Sequence, residues 1–299
     1  MWQPVLMING YLISVLGLAM LIPAAVDMLE TGRNWSLFVT SSIVSLFIGL
    51  SLFLGNRTKI EKITLQQGYL LTAVSWVSLT LLATLPFILS DVTPGFADAL
   101  FEAMSGLSTT GATVITDLEV LPDSILLWRS MLNGLGGVGI VIFAVALLPF
   151  LGIGGMQIFQ RENSDLNDKF MPKFNYIAKR IMAVYFILVA LCAGCLYFAG
   201  MTPLESVNYA MAAIATGGFS TKNASVGFYD SVSIEMILSL FMYLGALPMT
   251  FYIVLVQRRD LHSFRTPLCK GQSYFIGTGG RIYESSGFLY IAYCRMAGI

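Results

Sequence analysis

Charge is what this sequence has least of: Asp, Glu, Lys and Arg make up 11% of its 299 residues, where a soluble domain carries about 25%. With 56% hydrophobic residues and a mean hydropathy of +0.76, the chain has too little polar surface to coat a water-soluble globule of this size, and its solvent is lipid. Seventeen basic residues cancel seventeen acidic ones, so no net charge draws it to nucleic acid. Histidine is represented by His262 alone, which cannot anchor a metal site by itself. Four cysteines make no disulfide framework. Cys192 and Cys195 share a helix face inside an apolar run with no third ligand nearby, and read as packing residues rather than as a metal or redox pair. The first 28 residues lack the basic region of a cleavable signal peptide. No nucleophile–base pair and no metal-ligand spacing points to an enzyme.

What is present is length in apolar runs. Residues 4–26, 35–54, 68–89, 125–151, 181–200 and 232–256 each have about the 20 residues that a bilayer crossing needs. Two shorter runs interrupt this series. One, at 98–113, reads DALFEAMSGLSTTGAT; the other, at 205–220, reads ESVNYAMAAIATGGFS. An offset of 107 residues superimposes them, placing Glu205 on Asp98, Ala210 on Ala103, Met211 on Met104 and Gly218 on Gly111. Each is too brief to cross a membrane, ends in small and hydroxylated residues, and lies between two long spans. The fold expected is an all-α membrane protein, with two N-terminal transmembrane helices followed by two helix–pore loop–helix repeats. The divisions are residues 1–56 for the N-terminal pair, 68–151 for the first repeat and 152–176 for a cytoplasmic interfacial linker. The second repeat takes 177–256, and 257–299 forms an atypical basic tail.

The sparse charges give an orientation. Basic clusters at 57–62, 161–180 and 258–259 alternate with mostly acidic links at 91–98, 117–123 and 205–235. The positive-inside rule puts the N-terminus in the cytoplasm and brings both pore loops in from outside. A loop that enters and leaves on one face does not disturb this count.

Irregular backbone is excluded from lipid and survives at membrane depth only where protein buries it or where it lines a watery cavity. Along such a segment, carbonyl oxygens can replace the hydration shell of a small cation. Aiming them at one axis needs unusual dihedrals, which glycine adopts without steric cost, and Gly111 and Gly218 occupy matching positions. The hydroxyls of Thr109, Thr110, Thr113, Thr216 and Ser220 either add oxygens or tie the loops to their surroundings. Oxygen-only ligands suit a hard alkali cation. Asp98 and Glu205 open the two pore helices, where an acid complements the helix N-terminus and caps it. Glu102, a turn further in, has no evident partner. Arg129 lies near the outer end of the fourth span, either as a functional group or as a side chain snorkelling to the interface.

The segments FEAMSG–STTGAT, NGLGGVGIVIFAVALLP and IATGGFS together resemble the Trk/Ktr/HKT superfamily of potassium transporters, its TrkH-like branch in particular, over residues 1–256. The resemblance implies pseudo-repeats, each like one potassium-channel subunit, around a central pore. It carries the filter over to Thr109, Thr110, Gly111 and Ala112 in the first repeat and to Thr216, Gly217, Gly218 and Phe219 in the second. The same resemblance implies a bacterial inner-membrane homodimer, regulated by a cytosolic TrkA-like nucleotide-binding subunit. It implies K⁺ as the transported ion, driven by membrane potential with or without coupling to H⁺ or Na⁺, and no cofactor in this chain. The family has four repeats and this chain has two, so it is read as truncated after the second. Residues 257–299 read as unrelated sequence, from a frameshift or truncation; the alternative is a basic extension touching anionic lipid. Two other functional readings stay open: a secondary transporter with broken helices binding a small solute, and a non-transporting subunit. Gly134, Gly136 and Gly139 match G-x-G-x-x-G, but inside a membrane span they read as helix-packing residues rather than as a dinucleotide site.

Overall fold

The structure is a computed structural model that describes residues 2–30, 34–58, 64–90, 92–147, 170–247 and 251–252; at 65, 140–147 and 170–177 the backbone alone is described. All of these but Tyr252 belong to one unit ending at Phe251. The expected tail, 257–299, and most of the expected linker, 152–169, lie outside the described residues. No β-ladder forms among the residues described.

The N-terminal pair is α1 (Gln3–Ala19), α2 (Leu21–Glu30) and α3 (Trp35–Gly55). The first apolar run is two helices rather than one because Pro23 has no N–H for the carbonyl of Ala19, and its ring crowds that carbonyl. Glycines let α1 and α3 meet at backbone distance. A Cβ on Gly10 would lie 2.7 Å from the carbonyl oxygen of Gly49, and one on Gly49 2.5 Å from Ser14 Oγ. Ser42 Oγ donates to the carbonyl of Gly17 at 2.7 Å. Small residues and buried hydroxyls are how helices associate where lipid removes the hydrophobic drive.

The first repeat comprises α4 (Leu65–Ala83), α5 (Leu85–Leu89), α6 (Phe96–Leu107) and α7 (Asp123–Leu147). Thr64 starts α4 with a reciprocal capping box to Gln67. Pro86, which has no N–H for the carbonyl of Leu82, separates α4 from the short α5, and at the break Thr84 Oγ1 donates to the carbonyl of Thr80 at 2.7 Å. The second repeat comprises α8 (Phe170–Phe198), α9 (Pro203–Ile214), a 3-10 turn (Ser225–Tyr229) and α10 (Val232–Ala246). Helix α8 begins at Phe170, so residues 170–176 of the expected linker run in one continuous helix with the span that follows.

Among the described residues, Gln3–Glu30, Trp35–Gly55, Gln66–Leu89 and Ala178–Phe198 are long and apolar enough to cross a membrane. Helix α7, with 25 residues, extends about 37 Å. It is also the most deeply buried element: Ile125, Trp128, Leu132 and Asn133 have no accessible surface. Trp128 Nε1 donates to the carbonyl of Ala83 at 3.1 Å, and its ring meets Phe38 edge-on at 6.3 Å. At the N-terminal end of α7 Asp27, itself buried, accepts from Ser124 Oγ at 3.0 Å and from the Asn34 N–H at 2.6 Å. The N-terminal pair is thereby pinned to α7.

Candidate functional site

Helices α6 and α9 have 12 residues each. At 1.5 Å per residue they extend about 18 Å and cannot cross a hydrocarbon core of about 30 Å. They start at 96 and 203 and end at 107 and 214, the same offset of 107 residues that relates their sequences.

The two chains leave these helices identically. The N–H of Thr109 donates to the carbonyl of Gly106 at 3.0 Å, and that of Thr110 to Ser105 at 2.9 Å. Their counterparts are Thr216 to Ala213 at 3.0 Å and Gly217 to Ala212 at 2.8 Å. This is a Schellman ending, whose left-handed position usually belongs to glycine. Here it is held by Thr109 at φ 55 and Thr216 at φ 50, β-branched residues in a region that suits them poorly. Gly111 and Gly218 follow, each at φ 78. Left-handed residues at every second position turn successive carbonyls to one side, where a regular extended chain would alternate them.

The carbonyls of residues 109–111 and 216–219 accept no hydrogen bond among the described residues. That of Ala112 does: Ser105 Oγ donates to it at 2.5 Å, turning it back toward its own pore helix. Thr110 and Gly218 are exposed, while Gly217 and Phe219 are buried behind them. The loops touch, since a Cβ on Gly111 would overlap the carbonyl oxygen of Gly217.

Arg129 does not snorkel. It is 1% exposed, and its Nε donates to Glu102 Oε1 at 2.7 Å, with Glu102 fully buried. Glu102 therefore has the partner that the sequence left open, and has more than one. Its carboxylate also accepts from Thr113 Oγ1 at 3.0 Å and from the Val114 N–H at 3.1 Å, where the first loop exits. Arg129 reaches the second loop as well: Nη1 donates to the carbonyl of Ser220 at 2.9 Å, and the guanidinium lies 4.3 Å from the centre of the Phe219 ring. One ion pair thus holds both loops. Position 209, which matches 102, is a tyrosine, and its hydroxyl bonds Ser220 Oγ at 2.7 Å. A lone arginine and a lone glutamate in neighbouring apolar helices are a sequence signal for such a pair, because neither is tolerable in lipid alone.

The glycines of α7 make room for both pore-helix ends. A Cβ on Gly136 would overlap the carbonyl oxygen of Leu107, and one on Gly137 would lie 2.9 Å from Ala215 Cβ. Gly139 has nothing within 4 Å.

The two acids that open the pore helices differ. Glu205 closes a capping box with Thr202 and pairs with Lys222 Nζ at 3.2 Å. Burial alone would raise its pKa, but the hydrogen bonds from Thr202 and Lys222 and the Lys222 charge hold the carboxyl below the usual carboxylate range. Asp98 sits in the first turn of α6 after Gly95, which supplies no side-chain cap. It favours the helix end through charge alone.

Short helices that end in paired irregular loops, braced by a long buried helix, define a class: a polytopic membrane protein built from helix–pore loop–helix repeats. The TrkH family model, described as a cation transport protein, matches residues 36–278, and the chain belongs to that family. It is 37% identical over 267 residues to the Trk system potassium uptake protein TrkH of Halomonas elongata, covering 88% of this chain and 55% of that one. To TrkH of Escherichia coli K12 it is 37% identical over 258 residues, covering 85% and 53% respectively. The crystal structure of the potassium transporter TrkH from Vibrio parahaemolyticus superimposes with a TM-score of 0.78 at 35% identity, covering 86% of this chain and 52% of that one. The chain spans about half the length of the relatives it matches.

Proposed function

We propose that this chain supplies two neighbouring parts of the selectivity filter of a potassium uptake pore. Residues Thr109–Ala112 and Thr216–Phe219 form the filter wall. The reading rests on one observation: seven consecutive-register carbonyls in two loops, at 109–111 and 216–219, have no partner of their own among the described residues. Buried or membrane-embedded carbonyls are paired almost without exception, and a dehydrated alkali ion is a partner that a row of oxygens can serve. The Ala112 carbonyl, held by Ser105, contributes to the wall's shape and not to the ion. The relatives' role in potassium uptake supports K⁺ as the ion, moved by membrane potential or with H⁺ or Na⁺, without a cofactor or enzymatic activity in this chain.

On this reading the protein is a multi-pass inner-membrane subunit with a cytoplasmic N-terminus, surrounded by lipid. The family resemblance supports a homodimer and a cytosolic TrkA-like nucleotide-binding partner. The divisions at 1–56, 68–151, 152–176, 177–256 and 257–299 remain its proposed organisation.

Rubidium uptake by cells that lack other potassium systems tests the assignment. Uptake that disappears in both Gly111→Asp and Gly218→Asp is the expected result. Uptake indifferent to both substitutions removes the filter, and uptake of an organic solute in its place selects the broken-helix reading. Absence of any uptake from the unaltered protein selects a non-transporting subunit.

A further inference from the structure

The two repeats meet along one seam, formed by a face of α7 and a flank of the second pore helix with its loop. A Cβ on Gly137 would lie 2.9 Å from Ala215 Cβ, one on Gly134 3.6 Å from Met211 Sδ, and one on Gly217 2.5 Å from the Asn133 amide. The α7 half of the seam is thus 133, 134 and 137, and the other half is 211, 215 and 217.

The internal repeat gives each half a counterpart. Helix α10 starts at 232 where α7 starts at 123, and a Cβ on Gly245 would lie 2.5 Å from the carbonyl oxygen of Ile214, the contact that Gly136 makes with Leu107. In that register Met242, Tyr243 and Ala246 take the places of 133, 134 and 137. All three are exposed among the described residues, Tyr243 by 58%. On the first pore helix and loop, Met104, Ser108 and Thr110 take the places of 211, 215 and 217. Met104 and Thr110 are exposed, whereas Ala215 and Gly217 are buried. Lipid is no cover for this second face, because irregular backbone at membrane depth needs protein or water beside it.

The occupant follows from the pairing. The two open faces are the head and the tail of a contact that the chain already makes within itself, so a second copy brings the match for both. Ala246 opposite Ser108 keeps the small pair of Gly137 and Ala215, and Tyr243 opposite Met104 sets a ring against a thioether, a favourable contact. Head-to-tail contacts generate a closed ring where the rotation closes. With two loops in each copy, a ring of two copies holds four.

We propose that two copies of this chain associate head to tail, with α10 of each seated on the first pore helix and loop of the other, so that four loops surround one axis. The docking surface stands on the repeat alone; passage of an ion along that axis rests on the filter reading above.

The experiment uses the full chain in membranes, in two differently tagged forms with the four native cysteines changed to serine. One form carries Ser108→Cys and the other Ala246→Cys. Oxidation is expected to give a disulfide-linked dimer only when both forms are present, since the equivalent positions 137 and 215 bring their Cβ atoms within disulfide reach. A single form with both substitutions is expected to stop at the dimer; a ladder of longer oligomers overturns the closed ring. Tags that copurify without this disulfide place the contact between copies elsewhere, and tags that do not copurify leave both faces to a different repeat. Either result overturns the proposal. In a background without introduced cysteines, Ala246→Trp is expected to lower copurification about tenfold, the effect of one overpacked contact, with thermal unfolding of the chain unchanged. Undiminished copurification in that variant overturns the proposal as well. A dimer that forms as described and takes up no rubidium sinks the filter reading and leaves the docking surface standing.

Discussion

The two loops share a backbone and almost nothing else. Their helices end at equivalent residues, their threonines bend left-handed at φ 55 and 50, and their glycines stand at the same φ of 78. Behind that common path the scaffolding diverges. Glu102 answers to Tyr209, and Thr110 to Gly217. The first repeat contributes both members of the ion pair, while the second offers it only a carbonyl and an aromatic ring. The two repeats therefore hold one backbone path with different side chains.

The sharpest way to break the comparison is to add one methyl group to each left-handed loop glycine. At Gly111 it would overlap the carbonyl of Gly217, whereas at Gly218 nothing lies within 4 Å. Gly111→Ala should reduce rubidium uptake to background. Gly218→Ala meets only the left-handed backbone cost of about 1–2 kcal/mol and should keep measurable uptake. Equal losses would mean that the loops do not approach as described.

Next in size is the difference between the two braces. Glu102→Gln leaves Arg129 buried without its counter-charge and should cost about 3–5 kcal/mol of stability. Tyr209→Phe deletes one neutral hydrogen bond to Ser220 and should cost about 1 kcal/mol. Thermal unfolding of the two variants in detergent orders them, and a reversed order would show that the ion pair is not the main tie.

The smallest effect concerns the N-terminal ends of the pore helices. Because the Glu205 carboxyl sits below its usual pKa, its contribution is complete above the unfolded-state value and disappears as pH falls through the folded one. The stability gap between the unaltered protein and Glu205→Gln should therefore close on acidification. It should amount to no more than about 1 kcal/mol at neutral pH, since the pair with Lys222 is partly exposed. A gap that widens in acid would reverse the assignment.

Much of this was legible before any coordinates. Two short copies at a fixed spacing located both loops and their glycines, because a repeat compares each residue with its own counterpart. Contacts between elements were less accessible. Glu102 and Arg129 are 27 residues apart, and Arg129 and Ser220 are 91 apart, so neither pairing follows from local spacing. The left-handed threonines were missed because residue preference points to glycine at that position, and tertiary structure overrode it. Asn133 gave no signal at all, since an amide in an apolar helix reveals its surroundings only once the neighbouring loop is in place.

Gly136 and Gly137 also tie the two repeats to one helix. They put α7 in direct contact with Leu107 of one loop and Ala215 of the other, so this single helix is a party wall with no slack on either side. A slide or roll of α7 would be transmitted to both neighbours at once. Two loops hung on one rigid post shift together rather than singly.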